Sequence, residues 1–144
     1  MKTFIEKYAV IVVILAIIIL IWRGEFFSSS PLVILGQLAA VVLAVSGRIA
    51  FRKQQISVTA HPSDGPLVRS GPYRFIRHPM YAGVLLLIWV SILGHLSLVG
   101  ILIGLIVLTN IVLRVEAEES LLKSRYSEYA DYMRQTKKLV PFLY

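Results

Sequence analysis

Two short stretches of this 144-residue chain carry side chains that can do chemistry. The first runs Leu67-Val68-Arg69-Ser70-Gly71-Pro72-Tyr73-Arg74-Phe75-Ile76-Arg77-His78-Pro79-Met80-Tyr81, preceded by His61-Pro62-Ser63-Asp64-Gly65-Pro66. Four prolines and two glycines between residues 62 and 79 specify turns and leave little room for a regular helix. Pro79 suits the first turn of a helix, where backbone N–H groups are unpaired and the helix dipole is positive. Arg74, Arg77 and His78 add cationic donors there, so an anion is expected nearby, and Tyr73, Phe75 and Tyr81 add aromatic faces. The second stretch is Arg114-Val115-Glu116-Ala117-Glu118-Glu119-Ser120-Leu121-Leu122, followed by a helix-compatible segment to about Met133. At 100° per residue, Arg114, Glu118, Leu122, Arg125 and Tyr129 fall within about 40° of one line.

Each stretch alone has a plainer explanation. The first suits a basic and aromatic belt for lipid headgroups, and the second a solvated helix with an Arg114–Glu118 pair worth roughly a few tenths of a kcal/mol. Together they are complementary: cations and backbone donors for a carboxylate, aromatic rings for a purine, a carboxylate to accept from a ribose diol. S-adenosyl-L-methionine carries all three groups. Neither a G-x-G-x-x-G turn nor a P-loop occurs. His61, His78 and His95 are seventeen residues apart, too sparse for a metal motif. Cysteine is absent, which removes thiolate metal sites and cysteine nucleophiles, and no G-x-S-x-G hydrolase elbow is present.

Apolar residues make up 57% of the chain and charged residues only 16%, beyond the apolar share of soluble domains. A chain this small cannot hide so many aliphatics from water, so lipid must solvate many of them. Four apolar runs follow in order: Ala9 to Trp22, Leu32 to Gly47, Met80 to Leu93, and Leu96 to Leu113. The first reads as a retained anchor, because Arg23-Gly24-Glu25-Phe26-Phe27 after it offers no small-x-small cleavage site. Only Gly94-His95 separates the last two, which specifies a helical hairpin. The third run is short, some 20–25 Å against a hydrocarbon core of roughly 30 Å. The expected fold class is therefore all-α integral membrane, with four transmembrane helices, the last two a helical hairpin, a cytoplasmic cofactor-binding loop and a C-terminal helix.

The net charge of +7 is mostly topology. Lys2 and Lys7 precede the first run, Arg48, Arg52, Lys53, Arg69, Arg74 and Arg77 separate the second from the third, and Arg114, Lys123, Arg125, Arg134, Lys137 and Lys138 follow the fourth. Only Arg23 falls on the other side. Four spans with both termini and the chemical segments in the cytoplasm thus obey the positive-inside rule, and nucleic acid is not an expected partner. Three acids together beyond Leu113 would oppose the dipole of a helix ending there, which predicts one long helix running on into the cytosol. Gly36/Ala40/Ala44 and Gly100/Gly104 read as helix-packing positions. Trp22, Trp89 and the tyrosines read as interfacial anchors.

Leu67-Val68-x-x-Gly71-Pro72-Tyr73-Arg74-x-x-Arg77-His78-Pro79-x-Tyr81-x-Gly83, then a two-span hairpin, then Glu118-Glu119-x-x-Leu122 and a Tyr/Pro-containing tail, resembles the isoprenylcysteine carboxyl methyltransferase family. The resemblance covers about residues 52–144, leaving 1–51 as an N-terminal two-span region. It implies an S-adenosyl-L-methionine-dependent membrane methyltransferase. It implies cofactor contacts at Gly65, Pro66, Leu67, Val68, Tyr73, His78, Pro79, Met80, Tyr81 and Glu118, and catalytic roles for Arg114, Glu118 and His78, with Arg114 near the acceptor. No metal is implied. The acceptor would be a lipophilic or prenylated molecule reached from the membrane lipid, with a carboxylate of the isoprenylcysteine type the first expectation.

A carboxylate acceptor is already ionised at neutral pH and needs no general base. An amine, as in phospholipid methylation, must lose a proton, for which Glu119 or His78 would serve. A thiol acceptor, a sterol-reductase-like enzyme and a non-enzymatic membrane scaffold are the remaining alternatives. In the enzyme reading Tyr73, His78 and Glu118 converge; in the scaffold reading they point apart. The want of a transit or retention signal suits a prokaryotic cytoplasmic membrane.

Overall fold

The computed structural model describes residues 2–50 and 67–140, with side chains from Tyr8 onward. Five helices make up the described residues: α1 Lys2–Trp22, α2 Pro31–Ala50, α3 Pro79–Leu93, α4 Leu98–Arg125 and α5 Tyr129–Gln135. A 3-10 turn, Gly71–Arg74, precedes α3. Gly71 has φ +59°, a left-handed conformation that glycine adopts without a Cβ clash.

The apolar runs became helices because their residues have no better use for backbone groups in hydrocarbon than an internal ladder. Two helices, Pro31–Ala50 and Leu98–Arg125, are long and apolar enough to cross a membrane. The other two expected spans correspond to shorter apolar helices, Tyr8–Trp22 and Pro79–Leu93. The 15 residues of α3 reach only about 22 Å.

Packing does not follow chain order. α2 lies along α3, α3 along α4, and α4 along α1, so the first two helices flank opposite sides of the hairpin. The α2–α3 seam is close because Gly83 has no side chain. A Cβ there would stand 2.8 Å from the Ala40 carbonyl oxygen and 2.9 Å from the Ala44 nitrogen. Gly36 meets Val90, and Gly104 meets Ile92 and Trp89, so the small-residue spacings are packing positions. Leu20, Ile88, Ile92, Val107, Ile111 and Val115 form the buried core between α1, α3 and α4.

The end of the bundle away from the motif is tied by polar groups. Glu25 accepts from Arg23 at 2.7 Å and from the Ser97 hydroxyl at 2.8 Å, while Ser97 Oγ caps α4 by accepting from Gly100 N at 2.9 Å. Those hydrogen bonds, the one from Arg23 foremost, hold the Glu25 carboxyl below its ordinary range. Gln37 of α2 donates to the Phe26 carbonyl at 2.7 Å and to Ser91 of α3 at 2.9 Å.

Three expectations need correction. The hairpin turn is longer than Gly94-His95: Leu96 takes φ +43°, and α4 starts at Leu98 because Ser97 supplies its cap. The helical segment toward Met133 breaks at Tyr126, which is extended at φ −111°, ψ 114°. α4 ends at Arg125, so Tyr129 leaves the Arg114–Glu118 line and begins α5. The reason is burial: the break lets Tyr129 and Tyr132 fold inward, at 1% and 3% exposure. Hence these tyrosines and Tyr73 are core residues rather than interfacial anchors, and Trp89 packs on Gly104. Trp22 is 84% exposed, as an anchor would be.

Candidate functional site

Arg77 organises the region where the motif meets the C-terminal segment. Its Nε donates to Glu119 Oε1 at 2.7 Å, both side chains being buried. Its Nη1 reaches the carbonyls of Thr136 and Met133, at the C-terminal end of α5. The backbone continues the join: Arg77 N donates to Lys137 O at 2.7 Å, His78 N to Lys138 O at 3.1 Å, and Lys137 N to Phe75 O at 3.1 Å. Such a short parallel bridge, Ile76 with Lys137, pins the tail to the turn. The Tyr132 hydroxyl adds a bond to the Tyr73 carbonyl at 2.7 Å, and burial pushes its pKa up to about 12, so it stays a donor.

His78 follows as the residue before α3 and is 5% exposed. Its Nε2 lies 3.4 Å from Glu119 Oε1 without hydrogen-bond geometry. Its ring stacks on Tyr81, centroids 5.7 Å apart and planes inclined by 26°. On the first turn of α3, the Tyr81 hydroxyl accepts from Arg114 Nε at 2.6 Å and donates to Glu118 Oε2 at 2.9 Å. The Arg114 guanidinium also lies over the Tyr81 ring, 5.7 Å from its centroid.

Tyr73 belongs to the same cluster. Burial raises its phenol above the ordinary range, and the Glu118 carboxylate, Tyr132 and Tyr81 push the same way. His78, Tyr81, Arg114 and Glu118 therefore meet at one place, and Tyr73 lies near enough to Glu118 and Tyr81 to feel their charge. Leu67 and Val68 are half-buried in irregular chain leading into the turn. Pro79 and Met80 turn toward α2, each within about 3.1 Å of where a Gly47 Cβ would stand. Gly65 and Pro66 lie outside the described residues.

The donor set fits an adenosyl sulfonium cofactor by type. Glu119 Oε2, His78 Nε2 and Tyr129 OH are buried without a hydrogen-bond partner among the described residues. Orphaned polar atoms beside stacked aromatic rings are what a ligand with hydroxyls, an ammonium and a flat base satisfies. Among the described residues no group of three His, Cys, Asp or Glu could hold a metal ion.

Sequence reasoning placed Arg77 among cationic donors and Glu119 among possible bases without pairing them. A buried carboxylate needs a cation, and the two adjacent acids Glu118 and Glu119, facing different sides of one helix, signalled that each had its own partner. Tyr129 and Tyr132 were readable only as part of a helix that the fold interrupts.

No curated protein and no solved structure matches this chain. The family model for phospholipid methyltransferases matches residues 31–129, from the start of α2 to the start of α5, and so takes in both halves of the converging cluster. The chain thus belongs to the phospholipid methyltransferase family, integral-membrane methyltransferases that include members of the isoprenylcysteine type.

Proposed function

We propose that this protein uses S-adenosyl-L-methionine to methylate a lipophilic acceptor bearing an anionic group, a carboxylate of the isoprenylcysteine type. The observation that carries the reading is the junction of Arg114, Tyr81 and Glu118, which joins the motif helix to α4. Leu67, Val68, Tyr73, His78, Pro79, Met80, Tyr81 and Glu118, with Gly65 and Pro66 from the preceding turn, would hold the cofactor, which when bound supplies an electrophilic methyl on a sulfonium. In-line methyl transfer asks the protein mainly to align the partners and exclude water. Arg114, 5% exposed, orients the acceptor anion. Tyr81 couples that cation to Glu118 so that the two neighbours stay in register. The buried Arg77–Glu119 pair supports the shell from behind.

Glu119 is ion-paired with Arg77, whose fixed positive charge opposes protonation of the carboxylate, and this supports an acceptor that has no proton to lose. A phospholipid amine is the second reading. It is favoured by the family itself, whose model is that of phospholipid methyltransferases. Residues 52–144 would form the catalytic core and the first two helices its membrane support. Four crossings with the site and both termini in the cytoplasm would put fourteen of fifteen cations on one side, as the positive-inside rule asks.

The test is calorimetric titration of S-adenosylhomocysteine into the detergent-purified protein and its Glu118→Ala variant. Labelled methyl transfer to N-acetyl-S-farnesylcysteine and to phosphatidylethanolamine vesicles follows. Saturable heat abolished in the variant, with methylation of the farnesylated carboxylate, is expected. Methylation of the phospholipid alone would select the second reading, and no heat from folded protein would remove the enzyme reading.

A further inference from the structure

The turn that carries the motif has a second face. Tyr73, Ile76 and Arg77 are buried, at 5%, 2% and 8% exposure, whereas Arg74 and Phe75 between them are exposed, Phe75 at 61%. The backbone holds the ring there. Phe75 N donates to the Pro72 carbonyl and Phe75 O accepts from Lys137 N, both at 3.1 Å, so the segment is tied on either side. Two cations flank the ring: Arg74 beside it in the chain, and the exposed Lys137 across the Ile76–Lys137 bridge. Elsewhere at this end of the bundle Arg77 pairs with Glu119, Arg134 with Asp131 and Lys138 with Glu116. Arg74 and Lys137 have no acidic partner among the described residues. An exposed ring alone needs no explanation, but one set between two unpaired cations is a surface with a definite complement.

The length of α3 sets the depth of that surface. Its far end is the hairpin turn, where Arg23, Glu25 and Ser97 gather as polar groups do at a membrane surface. From there α3 covers about 22 Å, about 8 Å short of a hydrocarbon core of roughly 30 Å, and Phe75 precedes its first residue by only four. The turn therefore lies at headgroup level, where aromatic rings are favoured and where anionic lipid attracts Lys and Arg.

We infer that the join of turn and tail is a binding site for an anionic phospholipid of the surrounding leaflet, with Phe75 against its glycerol and upper acyl chains and Arg74 and Lys137 on its headgroup. The inference rests on α3 crossing the bilayer and not on the identity of the methyl acceptor. A zwitterionic lipid would bring its own ammonium up to two cations, so the net negative headgroup is the better match. The lipid ties the turn to the tail where Phe75 and Lys137 share a hydrogen bond, two residues from the buried Arg77–Glu119 pair.

The chain has no cysteine, so a single substitution carries a single spin label. Full-length Phe75→Cys, Leu86→Cys and Gln135→Cys are labelled in phosphatidylglycerol-containing nanodiscs, and their accessibility to oxygen and to a water-soluble nickel complex is compared. Leu86, exposed on α3, should report hydrocarbon and Gln135, exposed at the end of α5, water, with Phe75 at the boundary between headgroups and chains. Lipid affinity is then read by native mass spectrometry of the unlabelled protein titrated with phosphatidylglycerol or phosphatidylcholine. Phosphatidylglycerol should bind at least about tenfold tighter, since each basic residue near the surface contributes roughly fivefold. Arg74→Gln with Lys137→Gln should bring the two lipids within about twofold, while Arg134→Gln, which alters a cation that already has a partner, should keep the preference. Phosphatidylglycerol should also slow proteolysis of the C-terminal segment in wild type and not in the double variant.

A Phe75 label in water, equal affinity for the two lipids, or the same loss of preference in Arg134→Gln overturns the inference. The last would reduce the effect to net charge. Each of these leaves the crossing of α3 and the methyltransferase reading standing. A Leu86 label in water overturns the crossing and this inference with it.

Discussion

The Tyr81 hydroxyl bridges Arg114 and Glu118, accepting from the first at 2.6 Å and donating to the second at 2.9 Å. The two α4 residues, one helical turn apart, are thereby tied through a residue of α3. A phenol that accepts from a cation and donates to a carboxylate has its proton direction set by both partners.

Tyr81→Phe keeps the ring that stacks on His78 and removes only the bridge. Hydrogen bonds to charged groups contribute about 1.5–3 kcal/mol, so methyl transfer should fall by roughly ten- to a hundredfold. Thermal unfolding should change little by comparison. Unchanged turnover would show that the bridge is incidental to the chemistry.

Arg77→Ala leaves Glu119 buried without its cation and frees the carbonyls of Met133 and Thr136. Removing one partner of a buried pair costs about 3–5 kcal/mol, so a large drop in detergent Tm is expected. Arg77→Lys should recover little, because an ammonium cannot reproduce the fork that serves the carboxylate and the carbonyls together. Limited proteolysis of the C-terminal segment would report the same loosening locally.

At Gly83 a methyl group meets the α2 backbone at 2.8–2.9 Å, so Gly83→Ala must push α2 and α3 apart. Overpacking of this kind costs about 1–3 kcal/mol. Gly24→Ala tests the contrast between space and backbone, since nothing lies within 4 Å of its position but its φ is +71°. Denaturation in a fixed detergent should show Gly83→Ala as the more damaging change.

The carboxyl of Glu25 is held below its ordinary value of 4.5 by Arg23 and Ser97. A group whose folded pKa is depressed contributes stability that is full above the unfolded value and is lost as pH falls through the folded one. Wild type should therefore exceed Glu25→Gln in Tm at neutral pH, and the two should converge as pH drops below about 4. A gap that persists in acid would assign the role of Glu25 to its shape rather than its charge.

Much of the molecule was legible from the chain alone because its causes are local. Hydrophobic runs at bilayer length, Pro79 at a helix start and Gly36, Ala40 and Ala44 at helical spacing dictate helices and their seams whatever lies around them. The motif around Arg77-His78-Pro79 and the later Glu118-Glu119 pair named the two segments that the fold brings together, and the 100° helix step put Arg114 beside Glu118. What the tertiary structure alone decided were relationships between distant residues. Arg77 chose Glu119 rather than Glu118 across 42 residues, Tyr81 became the link in the Arg114–Glu118 stripe, and Lys137 paired with the turn. Nor could periodicity foresee the break at Tyr126, since Tyr126 to Glu128 have no sequence feature that forbids a helix. Burying Tyr129 and Tyr132 outweighs continuing the ladder, and that balance depends on surfaces that exist only once α3, α4 and the turn have come together.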